Sequence, residues 1–385
     1  MLLGAWLAPD LEAFSERGML ITGTVPGSMA EAAGLRDGDR IVSLADAPLR
    51  SVAEMRAALR RAGSRPDVEL RFERDGSDWS ASVSVQTTPT EALVGHEVHY
   101  DHLEVEGVRL RTIETRPQSD VIRGYAFFIQ GIACESVDQG ATPDAPVARL
   151  IRDWATAGLM TLRIDKQGVG DSEGGPCAEL DFETELSGYR AAFAHARDSA
   201  RRAGAPLIVF GHSVGGMVAP LLAAKHPIDC IIVYGTSARR WLDIMEDTTY
   251  RQRRMAGTTE ADAAAEVGQL RELALSQGLN GRSARYHRRL HELDIGGAWR
   301  RAQCERVLIL RGEHDWVVTP DEQAEIADLC AGAVDIIDVP GLDHLFGWHP
   351  DRPASLRHYG EGSYGPEAAR QMLTWLAGPA GMLAP

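Results

Sequence analysis

Long apolar runs are missing from this chain. The runs it has, such as Leu207 to Phe210 and Cys230 to Tyr234, are strand-sized, far below the ~20 residues a membrane-spanning helix needs. Cysteine is scarce: Cys134, Cys177, Cys230, Cys304 and Cys330 are scattered, with no C-x-x-C pair, which argues against a zinc site and a disulfide-built scaffold. Positive charge is outweighed. Forty Lys and Arg face 55 Asp and Glu, a net charge of −15, and such a surface repels phosphate backbones, so nucleic acid is not expected as a partner. The first residues, Met1-Leu2-Leu3-Gly4-Ala5-Trp6-Leu7, lack a basic stretch and run into Pro9-Asp10. That is a poor export signal, and a reducing, cytoplasmic setting is expected from it. On that ground Cys134 and Cys177 are read as packed free thiols, with a disulfide between them the minority alternative.

What is present is the composition of an ordinary globular chain, 44% hydrophobic and 25% charged over 385 residues. The length suggests two domains, or one large domain with an appendage. The segment 1–88 reads as mostly strands with two helices. Gly18 to Val25 is strand-like, Met29 to Ala33 a short helix, and Arg40 to Leu44 a strand. Ser51 to Ala62 carries Val52, Met55 and Leu59 on one helical stripe, with Ser51 as N-cap. Val68 to Arg74 and Trp79 to Val85 flank Asp75-Gly76, a hairpin turn. Thr87 to Glu91 is a linker.

From residue 91 to 385 strands and helices alternate. Short apolar strands are expected at Phe127–Ile129, Met160–Ile164, Leu207–Phe210, Cys230–Tyr234, Val307–Leu310 and Val334–Val339. Helices are expected at Pro146–Ala157, Phe182–Ala203, Met217–Ala224 and Gly365–Leu376. Continuous apolar strands between helices imply a parallel sheet covered on both faces, with the site at the carboxyl ends of the strands. Ser237 to Gln303 breaks the alternation with helical, charge-rich sequence and is read as a lid.

Chemistry concentrates in Gly211-His212-Ser213-Val214-Gly215-Gly216. The stretch fits G-x-S-x-G between an apolar strand and a helix. The glycines, Gly211 and Gly215 above all, admit a sharp turn that lifts the serine hydroxyl above the sheet. A serine hydroxyl needs a base. In chain order an acid and then a histidine should follow at strand ends. Asp315 follows Val307–Leu310, and His344 follows Val334–Val339. Asp315 would fix the imidazole tautomer of His344 and stabilise its charged form. His212, Glu313, Asp343 and His349 are weaker candidates by position. His96, His99 and His102 are spaced by three, which on a strand alternates faces, so no metal site is expected.

Two resemblances follow. Pro26 to Ser43, with its Ala32-Ala33-Gly34-Leu35 and Gly38-Asp39-Arg40-Ile41, resembles a PDZ domain. That family implies that a peptide C-terminus adds beside a strand and rests its carboxylate on a glycine-containing loop, here Leu3, Gly4 and Ala5. Packing against the neighbouring domain, or dimerisation, stays open as the alternative role. Residues 91–385 resemble the α/β-hydrolase superfamily. Phe128-Ile129-Gln130-Gly131-Ile132-Ala133 is similar to its oxyanion loop, with Gln130 where the family has histidine. Asp165-Lys166-Gln167-Gly168-Val169-Gly170-Asp171-Ser172 is similar to its D-x-R-G-x-G-x-S loop, a supporting element. The resemblance implies backbone N–H groups of Ile132 and Val214 as the oxyanion hole, no cofactor, and a carboxylic ester or thioester of a small-molecule or acyl substrate. A peptidase, amidase or acyltransferase on the same residues remains open, as does an inert hydrolase fold serving as a PDZ-anchored scaffold.

Overall fold

The computed structural model describes residues 5–7, 14–15, 17–24, 28–50, 52–63, 65, 67–85, 90–119, 121–379 and 381–383. The chain divides into two compact units between Thr90 and Glu91.

In the first unit, strands Ala5–Leu7, Gly18–Thr24, Arg40–Leu44, Val68–Arg74 and Ser77–Val83 form an antiparallel sheet in that order. Alternation along Val68–Arg74 buries Val68, Leu70 and Phe72 and leaves Glu69 and Arg71 outside. These meet Met19, Ile21, Ile41 and the Leu59 stripe of helix Val52–Ala62 in one core. Asp75 and Gly76 both take positive φ, at 51° and 75°, which matches the right-handed twist of the hairpin they join. The buried Asp39 is held by the Arg74 guanidinium at 2.7 Å and the Arg36 backbone N–H at 2.8 Å. Ala5 begins an edge strand that pairs with Gly18–Thr24 on one side and with nothing on the other among the described residues. Leu3, Gly4 and Ser51 lie outside the described residues.

The second unit is built on an eight-stranded sheet. Its strands are β1 (His96–Val105), β2 (Val108–Pro117), β3 (Gly124–Ile129), β4 (Leu159–Ile164), β5 (Leu207–His212), β6 (Ile228–Tyr234), β7 (Cys304–Gly312) and β8 (Ala333–Val339). Their order is β8-β7-β6-β5-β3-β4-β2-β1. The six strands from β8 to β4 are parallel, and the β1–β2 hairpin closes the sheet antiparallel. Strands β3, β4 and β5 are buried at every residue, because helices cover both faces. Alternate residues serve opposite faces. Tyr125, Phe127 and Ile129 pack towards α2 (Phe182–Ala203) and α3 (Val214–Ala223). Ala126 and Phe128 pack towards α1 (Pro146–Thr156), where the Trp154 and Phe210 ring centroids lie 4.7 Å apart.

Helix α2 runs where expected because its ends are specified. Asp181 caps the start by accepting from the Thr184 N–H, and Gly204 ends it in the left-handed conformation. Strand β2 was not foreseen. Its Arg111 and Glu114 are buried and satisfied by partners distant in sequence. Asp165 takes the Arg111 Nε at 2.7 Å, and the Tyr125 hydroxyl donates to Glu114 at 2.6 Å.

Between β6 and β7 stand four helices: α4 (Trp241–Met255), α5 (Glu260–Ser276), α6 (Ala284–Glu292) and α7 (Ile295–Arg301). Buried Trp241 ties α4 to α6 through its indole N–H, donated to His287 at 2.9 Å. Arg271 ties α5 to Asp243 and Glu246 of α4. After β7 comes α8 (Pro320–Leu329), opened by a reciprocal capping box of Thr319 and Glu322. The chain then closes with α9 (Arg352–Arg357) and α10 (Glu367–Ala377). Among the described residues no helix is long and apolar enough to cross a membrane.

The cysteine expectation needs correction. Cys134 and Cys177 are joined in a disulfide. They are 43 residues apart in sequence. The loops after β3 and β4 nevertheless emerge side by side, because those strands are parallel neighbours in register. Cys230, Cys304 and Cys330 are free.

Candidate active site

Ser213 sits at the turn between β5 and α3 with φ 53° and ψ −122°. A non-glycine residue holds such a conformation only where its surroundings impose it. The imposing contacts are backbone. A Cβ on Gly211 would meet the Gly215 carbonyl oxygen at 2.5 Å, and one on Gly215 would meet the Ile129 carbonyl oxygen at 2.1 Å. Gly216 is equally closed, against Thr236 at 2.6 Å. The turn therefore needs all three glycines, and it presents the Ser213 hydroxyl at the first turn of α3.

Asp315 and His344 come from the loops after β7 and β8. The Asp315 Oδ2 lies 2.9 Å from the His344 Nδ1. The other carboxylate oxygen, Oδ1, accepts the N–H groups of Val317 at 2.8 Å and Val318 at 3.2 Å. Both side chains are buried. Burial alone would lower the His344 pKa, but the charge and hydrogen bond of Asp315, with Asp343 behind it, hold it above the usual 6.5. Gly235, at φ 61°, leaves room for this pair, since a Cβ there would sit 2.7 Å from the His344 Nδ1.

The weaker candidates hold the His344 loop. His212 donates its Nε2–H to the His344 carbonyl at 2.8 Å, which fixes its tautomer. Desolvation drives its pKa down to about 3, with His344 adding to the fall, so His212 stays neutral. Asp343 accepts from the N–H groups of Leu345 and Gly347 and pairs with His349 at 3.0 Å. Its carbonyl takes the Tyr234 hydroxyl. Glu313 accepts the Gly341 N–H at 2.9 Å. On β1, His96 bonds the Val94 and Ala155 carbonyls and His99 bonds Glu97. Among the described residues no group of three or more side chains is arranged to hold a metal.

The loop after β3 passes beside the serine. A Cβ on Gly131 would lie 3.1 Å from the Ser213 Cβ and 3.5 Å from its Oγ. Gln130 donates to the Glu135 carbonyl at 3.2 Å.

With this geometry in view, comparison with known proteins places the fold. A family model described as serine aminopeptidase, S33, matches residues 145–346, just over half of the chain. The chain belongs to the S33 family of α/β-hydrolases. A PDZ domain model matches residues 20–74. A soluble variant of monoglyceride lipase from Saccharomyces cerevisiae, solved with a substrate analogue, is 17% identical. Its TM-score is 0.51, with 78% of this chain and 98% of that one covered. The structure of DcsB with its substrate analogue is 14% identical at TM-score 0.50, over 75% of this chain and all of that one. A curated relative from Haemophilus influenzae, described as a probable periplasmic serine protease do/HhoA-like, is 29% identical over 122 residues. The match spans about a quarter of that relative's length, and 29% of this chain.

Two cavities, of about 640 and 630 Å³, share part of their lining. Ile132, Ser213, His344 and Tyr359 line both. The first runs under the helical insertion along apolar Met217, Trp241, Ile244, Met245, Leu270 and Leu273. The second runs beside the loop after β3, past Gln130, Glu135 and Gln139. Ser213 and His344 thus face a common space, and both cavities are lined mostly by apolar surface. No hydrogen bond joins the two side chains among those described.

Three charged residues that the sequence did not single out also converge here. Lys166, Glu185 and Arg282 are buried beside the loop after β3. Lys166 was read only as a variant position of a supporting loop. Its signal was the lysine itself, on a stretch otherwise packed into the protein.

Proposed function

We propose that this α/β-hydrolase is a serine hydrolase that cleaves a carboxylic ester or thioester through an acyl-enzyme on Ser213. The observation that carries the reading is the strained Ser213 facing the same two cavities as the buried His344–Asp315 pair. The Ser213 Oγ attacks the acyl carbon while the His344 Nε2 takes its proton. Asp315 holds the Nδ1–H and balances the imidazolium. The carbonyl oxygen becomes an oxyanion, received by the N–H groups of Ile132 and Val214, the latter in the first turn of α3 where the helix dipole also favours negative charge. His344 returns the proton to the leaving alcohol or thiol as the carbon–heteroatom bond breaks. Water, deprotonated by His344, then releases the acid.

The cavity under the insertion, with Met217, Ile244, Met245 and Leu270 along it, suits an acyl chain, and the other would take the leaving group. In this reading helices α4–α7 act as a lid that keeps water from the acyl-enzyme. A second reading, peptidase or amidase, draws support from the PDZ unit, whose edge strand Ala5–Leu7 is unpaired on one side among the described residues. It could receive a peptide by strand addition. The Cys134–Cys177 disulfide favours an oxidising compartment over the cytoplasm expected from the sequence.

The test is labelling with a fluorophosphonate probe and peptide mapping, on wild type and Ser213→Ala. Adduct at Ser213 that disappears in the variant supports the reading. A folded wild type that takes no label removes it and promotes the inert-scaffold alternative. A panel of esters, thioesters and peptides then separates the two enzymatic readings.

A further inference from the structure

The loop after β3 is gripped from behind. The Lys166 ammonium donates to the Gly131 carbonyl at 2.6 Å and to the Ala133 carbonyl at 2.8 Å. Between them, the Ile132 carbonyl accepts from the Arg282 Nη1 at 3.1 Å. Three consecutive carbonyls are thus held by two cations. Glu185 of α2 lies between the cations, 3.3 Å from Lys166 and hydrogen-bonded to the Arg282 Nη2. Arg282 also lies 3.3 and 3.2 Å from the sulfurs of the Cys134–Cys177 disulfide, which tethers the downstream end of the same loop. Its guanidinium stacks on the Tyr286 ring at 3.8 Å.

Peptide geometry makes this grip consequential. In a trans peptide the C=O and the following N–H point in opposite directions. Pulling the Gly131 carbonyl towards Lys166 turns the Ile132 N–H the other way. Gly131 lies beside Ser213, and on that side the turned N–H would meet the nucleophile. We propose that Lys166, Glu185 and Arg282 form a buried ionic clamp that orients the Gly131–Ile132 peptide as an oxyanion donor, with Arg282 coupling the helical insertion to that donor. The three are positioning residues; none touches the reacting atoms. The inference rests on the acyl-enzyme reading above.

The alternative, that the cluster serves stability, is weak. Burying charges costs more than their mutual attraction usually returns, and well-packed apolar replacements are often as stable. Two cations share one carboxylate here, and their remaining partners are the backbone carbonyls of one short loop, the disulfide sulfurs and the Tyr286 ring. What such a cluster supplies is a fixed orientation. Desolvation lowers the Lys166 pKa to about 8, with Arg282 adding to the fall and Glu185 and Glu135 opposing it. Arg282 belongs to the insertion, between α5 and α6. Movement of the insertion would release the Ile132 carbonyl and loosen the donor.

The experiment compares full-length wild type with Lys166→Met, Lys166→Arg and Arg282→Lys. It measures the second-order rate of fluorophosphonate attachment at Ser213, kcat and KM on an activated ester, and Tm. Removing an oxyanion donor outright costs about 100–1,000-fold in kcat; misorienting one should cost roughly 10–100-fold. Lys166→Met is expected to lose that much in labelling rate and kcat while KM stays within about threefold. Lys166→Arg should recover most of the loss. If Lys166→Met does not fold, Arg282→Lys decides. It keeps the charge but cannot span Glu185 and the Ile132 carbonyl together, and should lose about tenfold in kcat at constant KM. A wild type that labels normally beside folded variants that label at its rate overturns the clamp and leaves the hydrolase reading intact. A loss that follows Tm and appears equally in KM also overturns it. A wild type that does not label removes both.

Discussion

Replacing Asp315 by asparagine changes one atom, and the structure dictates which way the new amide must face. The Oδ1 of Asp315 accepts two backbone N–H groups, from Val317 and Val318. Only the carbonyl oxygen of asparagine can take that place. The NH2 group is then left opposite the His344 Nδ1, where the carboxylate Oδ2 stood at 2.9 Å. An amide donor facing Nδ1 forces that nitrogen to be the acceptor and moves the ring proton to Nε2. In the acyl-enzyme reading Nε2 is the atom that takes the proton of Ser213. The variant keeps its packing and its backbone hydrogen bonds and holds the wrong tautomer. The expected loss is about 10³–10⁴ in kcat, or ~4–5.5 kcal/mol of barrier. The assay is kcat on an activated ester across pH, beside near-UV circular dichroism to establish that the fold is unchanged. Activity within tenfold of wild type would refute the argument. It would mean that Asp315 does not set the tautomer of the working base, or that another histidine does the work.

The pH profile should show an acid limb whose midpoint lies above 6.5, because Asp315 holds the His344 pKa up and only neutral imidazole accepts the serine proton; a kcat/KM titration checks it. The same shift makes His344 stabilise the fold fully below pH 6.5 and lose that contribution as pH rises through its higher native pKa, so activity and this increment of stability move in opposite directions. Gly235→Ala should lower kcat by about 100-fold or more and stability by roughly 1–2 kcal/mol. Its φ of 61° suits glycine, and its new Cβ would fall 2.7 Å from the His344 Nδ1; activity and urea unfolding read the two effects. Leu273→Trp should shorten the accepted acyl chain, because Leu273 lines the cavity under the insertion. Each methylene excluded is worth about 1 kcal/mol or more, so the ratio of dodecanoyl to butanoyl ester hydrolysis should fall at least tenfold.

Some of this molecule was legible in the chain because its signals are local. The strand-turn-helix at Ser213 is written in glycines that no larger residue could replace, and an aspartate and a histidine standing just past apolar strands are placed by the sheet itself. The central strands announce themselves as β-branched runs, and α2 carries both of its caps. Strand β2 was hidden because its buried Arg111 and Glu114 look like surface charges until Asp165 and Tyr125 are brought beside them. Helix α8 was passed over although Thr319-Pro320-Asp321-Glu322 is a capping box in plain view. The disulfide could not be read from spacing, because what joins Cys134 to Cys177 is the parallel register of β3 and β4.

The clamp belongs to the same hidden class, and it alters what the supporting loop after β4 is for. Lys166 comes from that loop, Glu185 from α2 and Arg282 from the insertion, so no window of sequence contains two of them. Each is an ordinary charged residue until the fold removes it from water. Once buried, their charges must be matched, and the carbonyls of Gly131, Ile132 and Ala133 do part of the matching. A loop whose carbonyls are all drawn to one side must turn its N–H groups to the other. The same electrostatics that makes this cluster costly to bury would thus aim a donor at the oxygen of the acyl group that Ser213 would attack, and would let the helical insertion, through Arg282, decide how firmly that aim is held.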